Sequence, residues 1–110
     1  MTRVLFICSR NRWRSPTAET VFATWPGVET DSAGLAADAE TPLSADQLAW
    51  ADLVCVMEKR HQRLLNNRFG RALRDKKLVC LAIPDQYRFM QAELVDLLEA
   101  RVGPLLRQSD

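Results

Sequence analysis

The chain has 110 residues, 47% of them hydrophobic and 26% charged, with a net charge of +1. That length supports one globular domain, residues 1–110, with a modest core and no room for a second. The near-zero charge excludes the strongly basic profile of a nucleic-acid binder, and no apolar run approaches the length that spans a membrane.

Val4 to Ile7 is a continuous apolar run, partly β-branched, which predicts a strand buried on both faces of a parallel sheet. It runs into "CSRNRWRSPTAE", where Cys8 is followed by three arginines within six residues. Ser15 can cap the next helix with Pro16 in its first turn, and Ala18, Val21, Phe22 and Trp25 then follow at helical spacing as far as Pro26-Gly27. "VETDSAG" predicts a short second strand ending at Gly34, and "SADQ" at 44–47 is a capping box that opens a brief helix. "DLVCVM" is the third strand. Glu58 to Phe69 reads as a polar helix closed by Gly70, and "KLVCLAI" as a fourth strand ending at Pro84. Leu94, Leu97, Leu98, Val102 and Leu105 mark a terminal helix with a break at Gly103-Pro104.

Alternation of strands and helices predicts an α/β three-layer sandwich, with a four-stranded parallel sheet in the order 2-1-3-4 and helices on both faces. Such sheets bind ligands at the carboxyl ends of their strands. Cys8 and Asp85 would share that end although 77 positions separate them.

The basic residues are unevenly spread. Four of the 15 lie in residues 1–14, none between Ser15 and Glu58, and eight between Lys59 and Lys77, where Asp75 is the single acid. The last stretch is either a solvated helix face or a docking surface for an acidic partner. Three cysteines without Cys-x-x-Cys spacing, beside one histidine, argue against a disulfide framework and a zinc site. Cys55 and Cys80 lie in apolar strand runs and read as core thiols, and His61 as a surface residue of the polar helix. Without a signal peptide the default compartment is the cytoplasm.

A strand-to-helix turn directs successive N–H groups inward, and the helix N-terminus adds positive potential, so residues 8–15 can cradle an anion. Helix N-termini and cations also favour the thiolate, the nucleophilic form of cysteine. Arg14 can give two-pronged hydrogen bonds to phosphate oxygens. Asn11 is the residue best suited to a positive φ in a loop that contains no glycine. Ser15 either bonds the thiolate or caps the helix.

The whole pattern resembles the low-molecular-weight protein tyrosine phosphatase family, whose phosphate loop is C-x5-R-S within C-x-G-N-x-x-R-S-P-x-A-E. Cys8, Asn11, Arg14, Ser15, Pro16, Ala18 and Glu19 match, and the likeness continues through "DSAG", "ADLVCVMEKRH" and "IPDQY" over nearly the whole chain. The resemblance implies a phosphatase in which Cys8 attacks phosphorus and forms a phosphocysteine, Arg14 stabilises charge, and Asp85 protonates the leaving oxygen. It implies a phosphate-binding loop of Cys8, Ser9, Arg10, Asn11, Arg12, Trp13, Arg14 and Ser15, a mouth flanked by Arg10, Arg12 and Tyr87, and no metal or organic cofactor. The expected partner is a phosphorylated substrate, a phosphotyrosine protein or another anionic phosphomonoester, with no nucleic acid and no membrane. The pattern carries no information on oligomeric state.

Four positions depart from the family. Arg10 replaces its glycine, Arg12 its bulky apolar wall, Trp13 its second loop cysteine, and Gln86 the proline after its aspartate. These changes keep a second reading open, a catalytically weak module that binds phosphorylated partners without hydrolysing them. Retention of both Cys8 and Asp85 favours the enzyme.

Overall fold

The computed structural model describes residues 1–107. Strands β1 (Thr2–Cys8), β2 (Val28–Gly34), β3 (Leu53–Val56) and β4 (Lys77–Cys80) form one parallel sheet in the order β2-β1-β3-β4, as the sequence predicts. Side chains of β1 alternate between two cores because successive Cβ atoms point to opposite faces. Val4, Phe6 and Cys8 pack with Phe22 of α1 (Arg14–Phe22) and with Leu94, Leu98, Val102 and Leu106 of α4 (Ala92–Arg107). Leu5 and Ile7 pack with Leu48 of α2 (Ala45–Trp50) and Leu65 of α3 (Lys59–Phe69). The register sets Cys8 opposite Gly34, and Ile7 opposite Val56, so β1, β2 and β3 end together around the cysteine.

Several boundaries differ from the sequence expectation. Helix α1 stops at Phe22, before Pro26-Gly27, and leaves through turns closed by Trp25 N–H on the Phe22 carbonyl and by Gly27 at φ 74°. Gly70 does not close α3 with a left-handed cap; its φ of −48° is helical and the chain continues as a 3₁₀ turn, Gly70–Leu73. Strand β4 ends at Cys80 because Ala82 turns left-handed at φ 54°, which lets Leu81 and Ile83 both bury in the α1–α4 core. Helix α4 is unbroken at Gly103-Pro104, since the buried stripe Leu94, Leu98, Val102 and Leu106 anchors it on both sides of the proline. The 44–47 capping box forms as expected, with Ser44 and Gln47 bonded reciprocally.

Candidate active site

Cys8 is buried where β1 ends, and its Sγ lies 2.9 Å from Ser15 Oγ and accepts the Asn11 N–H at 3.2 Å. A thiolate can only accept, so in that form both neighbours donate to it. The helix cap is not Ser15's role: α1 begins one residue earlier, and its N-cap Trp13 makes no side-chain bond. Asn11 has the positive φ the sequence calls for, 57°, whereas Arg10 is not among the positive-φ residues and needs no glycine-like backbone. Asn11 Nδ2 donates to Ser15 Oγ and to Ser32 Oγ, each at 2.9 Å, and Ser32 Oγ donates to Glu19 Oε1. One amide thus ties the loop to α1 and to β2.

The loop's carbonyls face outward. Those of Cys8, Ser9 and Arg10 accept the N–H groups of Leu35, Ala36 and Glu40. The N–H groups of Arg12, Trp13, Arg14 and Ser15 have no acceptor among the described residues. Open amides beside a helix N-terminus are the donors that an anion cradle requires.

Arg14 is 2% exposed and held from behind. Its Nη1 donates to Glu58 Oε2 at 2.5 Å and to the Ile83 carbonyl at 2.8 Å, while Nε lies 3.6 Å from Asp85 Oδ1. Glu58 also accepts from Arg60. Burial alone would raise the Glu58 carboxyl, but hydrogen bonds from Arg60 and Arg14, with their charges, bring it down to about 2. His61 corrects the sequence expectation outright, because it is fully buried. It accepts the Glu58 N–H at Nδ1, 3.1 Å, and bonds Ser9 Oγ through Nε2, 2.9 Å. Burial, then the charges of Arg14 and Arg60, lower its pKa to about 4, so the ring is neutral at physiological pH.

A cavity of about 280 Å³ opens over the sulfur, lined by Cys8, Arg10, Arg12, Trp13, Arg14 and Asp85. Two segments far apart in sequence, residues 8–14 and Asp85, therefore converge on it. Tyr87 is not on its lining; the ring is half-buried against the α1–α4 core. Ser9 turns its hydroxyl to His61 and Arg60 instead of the cavity. The rim arginines do not stand alone: Arg10 lies 3.9 Å from Asp38 and Arg12 3.7 Å from Glu40, with the Arg12 guanidinium 5.9 Å from the Trp13 ring centre. Cys55 is buried and its thiol is pushed up to about 12 by that burial, against a smaller opposing effect of Lys77; Cys80 is half-buried. Among the described residues no cluster of His, Cys, Asp and Glu could hold a metal ion, and no helix is long and apolar enough to cross a membrane.

Glu58 and His61 escaped the sequence reading. The signal that picks out Asp85, an acid beyond the carboxyl end of a buried strand, applies equally to Glu58 after "LVCVM".

The four-stranded parallel sheet in the order β2-β1-β3-β4, with helices on both faces, gives the chain the fold of the low-molecular-weight protein tyrosine phosphatases. It superposes on the enzyme of that name from T. tengcongensis with a TM-score of 0.81 at 22% identity, covering 98% of this chain and 99% of the other. The YwlE arginine phosphatase from Geobacillus stearothermophilus gives 0.75 at 24% identity, covering 99% and 95%. The tyrosine phosphatase Wzb from Escherichia coli K30, in complex with phosphate, gives 0.76 at 23%, covering 96% of each chain. No protein-family model and no curated protein matches the sequence.

Proposed function

We propose that the chain is a cysteine-dependent phosphomonoesterase acting on a phosphotyrosine protein or another anionic phosphomonoester. The observation that carries this reading is the convergence of Cys8, Arg14 and Asp85 on one cavity, beside four open amides. Cys8 Sγ forms a bond to phosphorus as the bond to the ester oxygen breaks, and Asp85 gives its proton to that oxygen. Asp85 then takes a proton from water, whose oxygen bonds phosphorus as the S–P bond breaks, releasing inorganic phosphate. Ser15 and the Asn11 N–H receive the departing thiolate. Arg14 and the amides stabilise the equatorial oxygens in both steps. The solved neighbours support the reading through their own names, as tyrosine and arginine phosphatases.

The test is hydrolysis of p-nitrophenyl phosphate and of a phosphotyrosine peptide. Cys8→Ser is expected to be inactive, and Asp85→Asn to lose about 10²–10⁴-fold in kcat, the range for a positioned general acid. Vanadate binding without turnover in the unaltered protein would establish the non-hydrolysing phosphate-binding module instead.

A further inference from the structure

A second cavity, of about 160 Å³, adjoins the cysteine loop and shares no lining residue with the first. Arg60, Leu64 and Arg68 recur every four residues and share one face of α3. Leu35 and Ala36, just past β2, and Ser9 with His61 complete the lining.

The chemistry of this cavity follows from where its protons lie. His61 Nδ1 accepts the Glu58 N–H, so in the neutral ring the one proton sits on Nε2 and is donated to Ser9 Oγ. Arg60 Nη2 donates to the same oxygen at 2.9 Å. Both lone pairs of the hydroxyl are then occupied, and its own proton has no acceptor among the described residues. A hydroxyl that receives two N–H bonds, one from a guanidinium, is polarised into a stronger donor. Arg68 adds a second guanidinium, of which only Nη1 is engaged among the described residues, on the Leu35 carbonyl at 2.8 Å. No carboxylate lines the cavity, and Leu64 leaves 38% of its surface to solvent.

We propose that this cavity is a second anion site, taking a carboxylate on a short aliphatic stem. The carboxylate oxygens meet Ser9 O–H, Arg68, and Nη1 of Arg60, whose Nε and Nη2 are already taken by Glu58 and Ser9, and the stem covers Leu35, Ala36 and Leu64. A phosphate dianion has no apolar part to cover that leucine and more acceptor positions than these donors fill. The site communicates with the first, because Arg60 also bonds Glu58, the anchor of Arg14. The carboxylate arrives either as a free small acid or as an acidic side chain of a bound phosphoprotein. The inference stands on the cavity's own residues and holds whether or not Cys8 turns over a phosphoester.

The test is a ¹H–¹⁵N NMR titration with sodium isovalerate at constant ionic strength, with orthovanadate present to fill the first cavity. Saturable shifts are expected at the amides of Ser9, Leu35, Ala36, Arg60, Leu64 and Arg68, with affinity about tenfold weaker in Arg68→Gln, the loss expected for one charged hydrogen bond. Leu64→Ser is expected to weaken isovalerate and leave acetate unchanged. Equal affinity in Arg68→Gln, equal binding of isovalerate and sulfate, or shifts confined to Arg12, Trp13 and Asp85 would each overturn the proposal. Phosphotyrosine peptides carrying Glu or Gln beside the phosphoresidue then distinguish the sources. A preference for Glu that disappears in Arg68→Gln assigns the site to the substrate's side chain; isovalerate binding with no such preference assigns it to a free acid.

Discussion

Arg14 is a cation almost without contact with solvent, and a buried guanidinium is tolerated only when its donors are met. Glu58 and the Ile83 carbonyl meet Nη1, which fixes the group at the cavity and leaves Nε toward Asp85. Glu58→Gln keeps the shape but removes the counter-charge, and the freed arginine is drawn toward Asp85. A displacement of this kind by about 1 Å can cost about 10²-fold, so kcat/KM for p-nitrophenyl phosphate is expected to fall by roughly that factor in steady-state assays. An unchanged value would mean that the Ile83 carbonyl alone orients Arg14. Cys8, Arg14 and Asp85 were legible in sequence because their positions follow from strand ends and loop spacing. His61 was not, since "KRHQR" has the composition of a solvated helix start. Its burial arises only when the cysteine loop and the chain after β2 close over it, contacts that local composition does not encode.

At the scale of elements, the end of β2 acts as a template for the cysteine loop. A Cβ on Gly34 would come within 2.6 Å of the Ser9 carbonyl oxygen, 2.9 Å of the Asn11 nitrogen and 2.7 Å of Ala39 Cβ. Two of those atoms are backbone of the loop itself, so they can give only by moving the cradle. Gly34→Ala is expected to cost about 1–3 kcal/mol, the range for overpacking, read from urea unfolding. It should also weaken vanadate binding, which a purely global loss of stability would leave intact in the folded fraction. Helix α4 supports the opposite prediction. Pro104 lacks the N–H that would bond the Ala100 carbonyl, yet the stripe around it holds the helix continuous. Pro104→Ala restores the donor and is expected to raise stability by about 1 kcal/mol, part of the full interior proline penalty; a lower urea midpoint would show that the ring's packing outweighs the bond. Strands β1 and β3 were legible because burial on both faces leaves an uninterrupted apolar run, and β4, although only half-buried, because it opens another. Their ends were not: Ala82 sits inside such a run, and its left-handed turn is set by the need to bury both Leu81 and Ile83.

Across the whole molecule, α3 and its N-cap Glu58 are bound to the first 35 residues by side-chain hydrogen bonds. His61 reaches Ser9, Glu58 reaches Arg14, and Arg68 reaches the Leu35 carbonyl. Burial, then the charges of Arg14 and Arg60, lower the His61 pKa from 6.5 to about 4, and a protonated ring would in addition turn Nδ1 into a donor facing the Glu58 N–H. Between those values the unfolded chain binds a proton that the native protein does not. Stability is therefore full above pH 6.5 and declines as pH falls to about 4, by up to about 3 kcal/mol for a shift of this size. Glu58, lowered from 4.5 to about 2, acts in the same direction but further into acid, with its contribution lost as pH falls from 4.5 toward 2. The His61 effect thus has a window of its own between pH 6.5 and 4.5. Urea midpoints taken across that window should fall steadily for the unaltered chain. His61→Gln keeps a donor toward Ser9 but cannot titrate, so it should be less stable than the unaltered chain at pH 7.5 and lose most of the slope below pH 6.5. A slope that survives in His61→Gln would assign the acid sensitivity to groups other than this buried ring.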